Sequence, residues 1–154
     1  MPPCLLLALA LLGTASASHP ASGHPRDVPA ATAKGGRRFY YAVVTSRRSY
    51  SRAEKHCREV LRGELASVHS AALNQQLKEL ARTYTHFSPW IGAFTTTANG
   101  QWVSQWSDAS PWNFANWAPT HPHHIVTTCT TLSTRDGLWR SRPCFLLRPF
   151  ICQY

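Results

Sequence analysis

Four cysteines constrain this chain most: Cys57, Cys129, Cys144 and Cys152 lie in its C-terminal two-thirds. An even number of cysteines in an exported chain predicts disulfide bonds, and four cysteines leave three connectivities open. A zinc tetrad is the alternative, but the close Cys-x-x-Cys spacing typical of such sites is missing. The cysteines therefore predict a small, covalently cross-linked domain.

The N-terminal residues are typical of an export signal. Residues 4–12 form an apolar run of about nine residues, which is too short to span a bilayer. Small residues follow at positions 15–17, as a signal peptidase requires. We therefore expect residues 1–17 to be a signal peptide that carries Cys4 away, and the mature protein to be secreted and soluble. An N-terminal membrane anchor is the alternative, since this segment contains no Lys or Arg.

Composition changes after residue 17. Residues 18–36 are rich in Pro, Ala, Gly and Ser and contain a single acidic residue, Asp27. Such a segment has too little apolar surface to fold alone, so it is expected to be a flexible linker or a short propeptide. The folded domain is expected to occupy residues 37–154.

Charge is the second strong feature. The chain has 16 Lys+Arg against 7 Asp+Glu, a formal net charge of +9, and thirteen of the cations are arginine. The arginine fork matches carboxylate, phosphate and sulfate oxygens in pairs. This charge favours sulfated glycosaminoglycans or other polyanionic glycans, anionic membranes or microbial envelopes as partners, with solubility alone as the alternative. Nucleic acid would bind the same charge, but an export signal argues against it in vivo.

The first predicted helix follows a strand at 38–44 and carries a basic face. Ser51-x-x-Glu54 is typical of a capping box at a helix start, and Gly63 is expected to end the helix. One side of the helix is expected to be buried and holds Ala53, Cys57, Val60 and Leu61. The other side is expected to show solvent a stripe of cations: Arg52, Lys55, Arg58 and Arg62.

A second helix is predicted after Ser70, and strands after Pro89. Four residues fall at helical spacing, Leu73, Leu77, Leu80 and Tyr84, and the three leucines are expected to pack in the core. Strands are predicted at 89–96, 101–106, 124–132, 138–142 and 147–153, with turns at Asn99-Gly100 and Asp136-Gly137. Helices followed by many short strands indicate an α+β domain.

Several motifs together resemble the C-type lectin-like domain over residues 38–154. They are Trp90-Ile91-Gly92, Gly137-x-Trp139, the spacing of the last three cysteines, and Phe150-Ile151-Cys152. The resemblance implies two helices flanking mixed, mostly antiparallel sheets with a long irregular loop. It also implies the pairs Cys57–Cys152 and Cys129–Cys144, which would contribute about 4–5 and about 3 kcal/mol by loop closure.

Calcium-dependent members of this family hold the ion with carboxylate and amide oxygens in the long loop and the strand after it. Pro122 matches the loop proline, which is often cis in the family. The five ligand positions hold other residues here: His121, His123, Thr127, Arg140 and Ser141. Because hard cations need oxygen ligands, the resemblance implies that this loop binds no calcium and that the domain uses no cofactor.

Within the family the sequence resembles the eosinophil granule major basic protein group. The similarity lies in residues 110–118, in Trp139-Arg140 and in 147–152. The resemblance implies storage in secretory granules, binding of heparin-like polyanions and damage to microbial membranes. Precursors of that group carry a long acidic propeptide, whereas residues 18–36 do not.

Two groups of residues are candidate polyanion sites. One is the helix stripe. The other is the altered loop, where three histidines would add positive charge on protonation next to two arginines: His121, His123, His124, Arg140 and Arg142. The alternative is that the three histidines bind zinc and that the protein is a zinc-dependent enzyme.

Motifs for catalysis are missing: there is no Gly-x-Ser-x-Gly, His-Glu-x-x-His or Gly-rich phosphate loop, and no mature thiol is expected to be free. We therefore expect a secreted, calcium-independent lectin-like module that binds anionic, sulfated glycans. The alternative is a cytotoxic effector that acts on anionic membranes.

Overall fold

The computed structural model describes residues 38–154, so the predicted signal peptide (1–17) and linker (18–36) lie outside the described residues. The described part holds two helices and seven strands, which confirms the α+β prediction. In chain order these are β1 (Tyr41–Arg48), α1 (Tyr50–Leu61), β2 (Glu64–Leu65), α2 (Ala71–Tyr84), β3 (Trp90–Ala98), β4 (Gln101–Trp106), β5 (Thr128–Leu132), β6 (Trp139–Arg142) and β7 (Arg148–Gln153). Neither helix is long and apolar enough to cross a bilayer.

The strands form one sheet in the order β1-β7-β3-β5-β6, with β2 paired to β7 and β4 paired to β3. All pairs are antiparallel except β3 with β7. The two ends of the described chain meet, because Tyr40 and Tyr154 exchange backbone hydrogen bonds of 2.8 and 3.0 Å. Strand β6 lies at an edge of the sheet, where its outer side is open to the long loop that precedes β5.

The disulfides join Cys57 to Cys152 and Cys129 to Cys144, with Cα–Cα distances of 5.5 and 5.0 Å. These are the two pairs that the family resemblance implies. The first ties α1 to the closing strand β7, and the second ties β5 to the turn between β6 and β7. Each bond therefore fixes one end of the sheet to a segment outside it.

The core has two parts, one on each side of the sheet. One packs the buried stripe of α2, Leu73, Leu77 and Ala81, against Ile91 and Trp139. The other packs the buried face of α1 against the sheet and holds Tyr50, Ala53, Cys57, Leu65, Trp90 and Phe150. Trp90 also donates its indole N–H to the backbone oxygen of Arg48, at 2.9 Å.

The predicted start of the first helix is wrong. The helix begins at Tyr50 with Ser49 as its N-cap, and no side chain forms a capping hydrogen bond there. Glu54 is therefore not the acidic residue of a capping box. It forms an ion pair with Arg58 instead, one helical turn ahead, at 3.0 Å.

The helix also ends one residue earlier than predicted. Arg62, not Gly63, adopts the left-handed conformation, with φ 54°, and the Gly63 N–H donates to the Cys57 oxygen at 2.9 Å. Gly63 is needed for a different reason. A Cβ at this position would overlap the backbone oxygen of Gln153, so only glycine allows the chain to pass β7 this closely.

One residue predicted to be buried is exposed. Val60 is 63% exposed because it lies at the margin of the buried stripe of α1, about 60° around the helix from Cys57 and about 100° from Leu61. Tyr84, at the end of α2, is 39% exposed and continues the half-buried Leu80 side of that helix.

Two strands differ from their predicted bounds by more than two residues, and the short strand β2 was not predicted. β1 begins at Tyr41 and continues to Arg48, where a register shift restores pairing with Arg148. β5 begins at Thr128 instead of His124. The pairing of β5 with β6 ends at Cys129–Arg142. The residue that follows Arg142 is Pro143, which has no N–H to continue the ladder. Ile125 and Val126 therefore remain in the loop, 86% and 63% exposed.

Candidate functional site

The long loop at 107–127 lies along the free edge of β6 and is fastened to it by hydrogen bonds. Trp139 donates its backbone N–H to Asn116 at 2.8 Å and accepts from Ala118 at 2.9 Å. Ser141 donates its backbone N–H to Nδ1 of His121 at 2.9 Å. The loop thus satisfies the edge groups that β6 would otherwise leave unpaired.

Tryptophans and amides hold the base of this loop. The indole N–H of Trp139 donates to Asn74 at 2.7 Å, and Asn74 and Asn116 both donate to the Gly137 oxygen, at 2.9 and 2.8 Å. Trp112 and Trp117 pack with their ring centroids 6.0 and 5.7 Å from that of Trp139. Both side chains are therefore part of the loop's own packing.

The three loop histidines do not converge on one point. The His121–Pro122 peptide bond is cis. The rings of His121 and His123 stack at 4.2 Å, whereas His124 stacks on Trp102 with ring centroids 5.6 Å apart. Within residues 38–154, no group of three or more His, Cys, Asp or Glu side chains is arranged to hold a metal ion.

His121 is held in its neutral form. Its Nδ1 accepts a hydrogen bond, so that nitrogen carries no proton. Burial lowers the pKa of His121 below its ordinary value, and the charges of His123, Arg142 and Arg140 lower it further. The expectation that all three loop histidines strengthen an anion site on protonation is therefore opposed at His121, because charging it breaks the bond to Ser141.

The arginine that replaces a calcium ligand already has a partner. Arg140 donates to both carboxylate oxygens of Asp136, at 2.9 and 3.3 Å. These hydrogen bonds are the main reason that the pKa of Asp136 lies far below its ordinary value. Thr127 is also engaged, through a hydroxyl contact of 2.9 Å with Thr96. Arg140 is thus less available to an added anion than the sequence suggested.

Arg142 is the member of the predicted loop group with an unused donor. Its Nε is buried and has no hydrogen-bond partner among the described residues. Arg140 and Arg142 alternate with the buried Trp139 and Ser141, so they lie on the opposite face of β6. There they border an open polar cleft of about 660 Å³, lined by Ser88, Ser133, Arg135, Asp136, Arg140 and Arg142.

The helix stripe lies on the exposed side of α1, as expected. Two of its cations are paired: Arg58 with Glu54 and Glu64, at 3.0 and 3.1 Å, and Lys55 with Glu59 at 3.9 Å. Arg52 and Arg62 have no carboxylate within 4 Å among residues 38–154. The stripe therefore offers two uncompensated charges rather than four.

Sequence reasoning missed an exposed apolar surface beside the loop. Ile125, Val126 and Phe145 are 86%, 63% and 77% exposed and line one open cleft together with His123 and Arg142. The prediction placed Ile125 and Val126 inside a strand over 124–132. Pro143, which follows β6 and cannot continue its pairing with that strand, was the feature of the sequence that could have indicated otherwise. Reasoning from sequence also missed Arg48, Arg135 and Arg148 as possible anion ligands.

The mixed sheet, the two flanking helices, the long loop and the two disulfides define a C-type lectin domain. The family profile described as Lectin C-type domain matches residues 46–154, so the chain belongs to this family. The family consists of binding proteins that are not enzymes.

The relatives of this chain include granule proteins. The chain is 37% identical over 116 residues to proteoglycan 3 of Mus musculus, and the match covers 74% of this chain and 51% of that protein. It is 35% identical over 116 residues to eosinophil granule major basic protein 1 of Cavia porcellus, covering 74% and 50%. The chain thus spans about half the length of the relatives it matches. A calcium-independent type II antifreeze protein has a similar structure, with a TM-score of 0.64 and 25% identity over 75% of this chain and 85% of that one.

Proposed function

We propose that this protein is a secreted, calcium-independent lectin-like module that binds anionic, sulfated glycans such as heparin or heparan sulfate. The observation that carries the proposal is the imbalance of charge at the surface. Among residues 38–154, carboxylates neutralise Lys55, Arg58, Lys78, Arg82 and Arg140. Eight arginines have no carboxylate within 4 Å: Arg38, Arg47, Arg48, Arg52, Arg62, Arg135, Arg142 and Arg148.

Sulfate is the chemistry that suits these side chains. A guanidinium group presents paired N–H donors that match two oxygens of a sulfate or phosphate group. Binding of a polyanion also releases its condensed counterions, so many uncompensated cations give strong and salt-dependent affinity. Neutral sugars would gain neither contribution from this surface.

Calcium independence is supported by the residues at the ligand positions. Four of the five side chains form hydrogen bonds inside the protein: His121 with Ser141, Thr127 with Thr96, Arg140 with Asp136, and Ser141 with the backbone N–H of His123. The carboxylate of Asp136, in the turn before β6, is occupied by Arg140. The fold without calcium also has a precedent in the calcium-independent antifreeze protein.

The polar cleft on β6 is the best-placed site for the glycan. Arg142 and Arg135 supply charge that no carboxylate neutralises, and Arg140 lies between them beside Asp136. His123 and His124, the other two histidines of the predicted loop group, are both exposed. Arg52 and Arg62 on α1 are the separate, more diffuse alternative.

Paired substitutions test this assignment. Arg135→Gln with Arg142→Gln should weaken heparin binding more than Arg52→Gln with Arg62→Gln, since each pair removes two uncompensated charges but only the first pair lines a cleft. Heparin affinity is measured by calorimetry at fixed ionic strength. Equal losses from the two pairs would leave only diffuse charge attraction.

An anionic membrane is a second candidate target, and the apolar surface next to Arg142 favours it. Ile125, Val126 and Phe145 stand out from the domain where a bilayer could receive them, with arginine beside them for lipid phosphates. Leakage of dye from anionic vesicles measures this activity. Ile125→Ser with Phe145→Ser should abolish leakage and leave heparin affinity unchanged, whereas equal leakage by this variant would exclude the surface.

Secretion, with storage in granules, belongs to the same proposal. The names of two kinds of relatives refer to eosinophil granules and to a proteoglycan. The predicted signal peptide at 1–17 agrees with export.

A further inference from the structure

Two arginines face each other at one end of the sheet. Arg48, the last residue of β1, and Arg148, the first residue of β7, are register partners across an antiparallel pair. Directly opposite residues place their side chains on the same face of a sheet, so these two cations are neighbours. Like charges in this position oppose the pairing of the strands.

A third arginine, Arg142, lies at the end of β6, next to the turn between β6 and β7. Arg142 precedes this turn and Arg148 follows it, and the turn is closed by the Cys129–Cys144 disulfide and by a 3.1 Å hydrogen bond from Leu146 to Pro143. The Cys144 oxygen accepts the backbone N–H of Tyr50 at 3.0 Å, which brings the turn beside the segment that follows Arg48. Burial lowers the pKa of Arg148, and the charge of Arg142 lowers it further.

The cluster has unused donors and no compensating acid. The Nε atoms of Arg48 and Arg142 are both buried without a hydrogen-bond partner among residues 38–154. No carboxylate in that range lies within 4 Å of any of the three arginines, and the first turn of α1 has no acidic side chain. His56 on α1 is the nearby titratable group. Burial lowers the pKa of His56, and the charge of Arg48 lowers it further.

A buried N–H without a partner costs free energy, and a partly buried group of like charges costs more. An anion with several oxygens would remove both costs at once. The ligand must be compact and multiply oxygenated to reach three guanidinium groups, and a sulfate or phosphate group has this form.

We infer that Arg48, Arg142 and Arg148 form a binding site for one sulfate or phosphate group, at the end of the sheet where β1, β7 and the β6–β7 turn meet. The site deepens the proposed function and rests on it for the choice of a sulfated glycan as the source of the group. A phospholipid headgroup presents the same chemistry. Arg142 also lines the polar cleft on β6, whereas Arg48 and Arg148 belong to neither the loop nor the helix stripe. The site therefore extends the attachment of a long polyanion from that cleft to the other end of the β6–β7 turn.

Side-chain ¹H–¹⁵N spectra of arginine test the site directly. In the native protein, the Nε–H signals of Arg48 and Arg142 should shift and saturate as sodium sulfate replaces sodium chloride at constant ionic strength. Arg148→Gln should abolish the saturable shift, while Arg52→Gln, which removes one exposed charge elsewhere, should preserve it. Arg148→Lys keeps the charge without the paired donors and should give an intermediate result. Dispersed amide spectra confirm that each variant is folded.

The source of the group is tested with a heparin tetrasaccharide and with phosphatidylglycerol vesicles. We expect Arg148→Gln to weaken tetrasaccharide binding roughly tenfold, as for a lost charged hydrogen bond, and Arg52→Gln to weaken it about twofold. One outcome separates the site from the proposed function: neither the native protein nor its variants bind the tetrasaccharide, but sulfate still shifts both Nε–H signals and the vesicles reproduce the shift. In that case the oxyanion site is supported and the glycan function is rejected. Signals that do not respond to sulfate, or equal effects of the two Gln variants, overturn the site.

Discussion

Nδ1 of His121 accepts the backbone N–H of Ser141 at 2.9 Å, which joins the long loop to the free edge of β6. The bond requires a neutral imidazole, because the charged ring has a donor at both nitrogens. A calcium-binding member of the family would use the position of His121 for a carboxylate. Here the same position holds the loop by a hydrogen bond within the protein.

Acid should therefore destabilise the domain at this contact. The pKa of His121 is lowered in the folded state, so the unfolded chain binds more protons as the pH falls. The stabilisation is fully present above the unfolded pKa, near 6.5, and is lost as the pH falls through the lower folded pKa. We expect the melting temperature to be lower at pH 5 than at pH 7.5.

His121→Asn is the matched variant, since the Asn oxygen accepts the same N–H and does not titrate. It should reduce the difference in melting temperature between the two pH values. His56, whose pKa is also lowered, contributes in the same direction, and Glu54, whose pKa is raised by burial, contributes in the opposite one. An unchanged pH dependence in His121→Asn would show that the His121–Ser141 bond does not control the loop.

Releasing Arg140 from its carboxylate should strengthen binding to heparin. Asp136→Asn removes the negative charge and one of the two oxygens that bind the guanidinium group, at 2.9 and 3.3 Å, and so makes the polar cleft more positive. We expect heparin affinity to rise by about three- to tenfold, the scale of one charged hydrogen bond. Glu59→Gln is the control, since it frees Lys55 on the exposed helix and changes the net charge equally. An equal gain in both variants would mean that only total charge matters.

Gly63→Ala should cost more stability than any substitution at an open turn. The added methyl group meets the Gln153 backbone oxygen, which cannot move without disturbing β7. We expect a loss of about 2–3 kcal/mol or more in the free energy of unfolding, measured by urea titration. Gly100→Ala is the control: its φ is 75° but nothing lies within 4 Å, so the loss should be about 1–2 kcal/mol. Equal losses would contradict the close approach.

The two disulfides should differ in their contribution. They close chain separations of 95 and 15 residues, between Cys57 and Cys152 and between Cys129 and Cys144. Replacing the first pair with Ser should lower the free energy of unfolding by about 4–5 kcal/mol, and the second pair by about 3 kcal/mol. Calorimetry of both variants checks the order, and a larger loss from the shorter loop would contradict it.

The fold was predictable because its signals are local or tied to spacing. The cysteine spacing, Trp90-Ile91-Gly92 and the apolar period of α2 each mark an element that the structure contains. Errors arose where a distant segment decides. Pro143 ends the ladder that β-branched residues at 125 and 126 would have continued, and β7 requires Gly63 from across the sheet.

The candidate site was less predictable, for a related reason. The sequence shows how many arginines there are but not which ones a carboxylate neutralises. The pairing of Arg140 with Asp136 lies across a short turn and was within reach of sequence reasoning. The opposition of Arg48 and Arg148, a hundred residues apart, follows only from the strand register.

The most direct test of the central claim is calorimetric titration of the native protein with heparin, in EDTA and in calcium, against the same heparin stripped of its sulfate groups. If uncompensated arginines bind sulfate without a metal, affinity is the same in EDTA and in calcium, weakens linearly in log salt, and is lost on desulfation. Affinity that disappears in EDTA and returns with calcium, or that survives desulfation, would contradict the account.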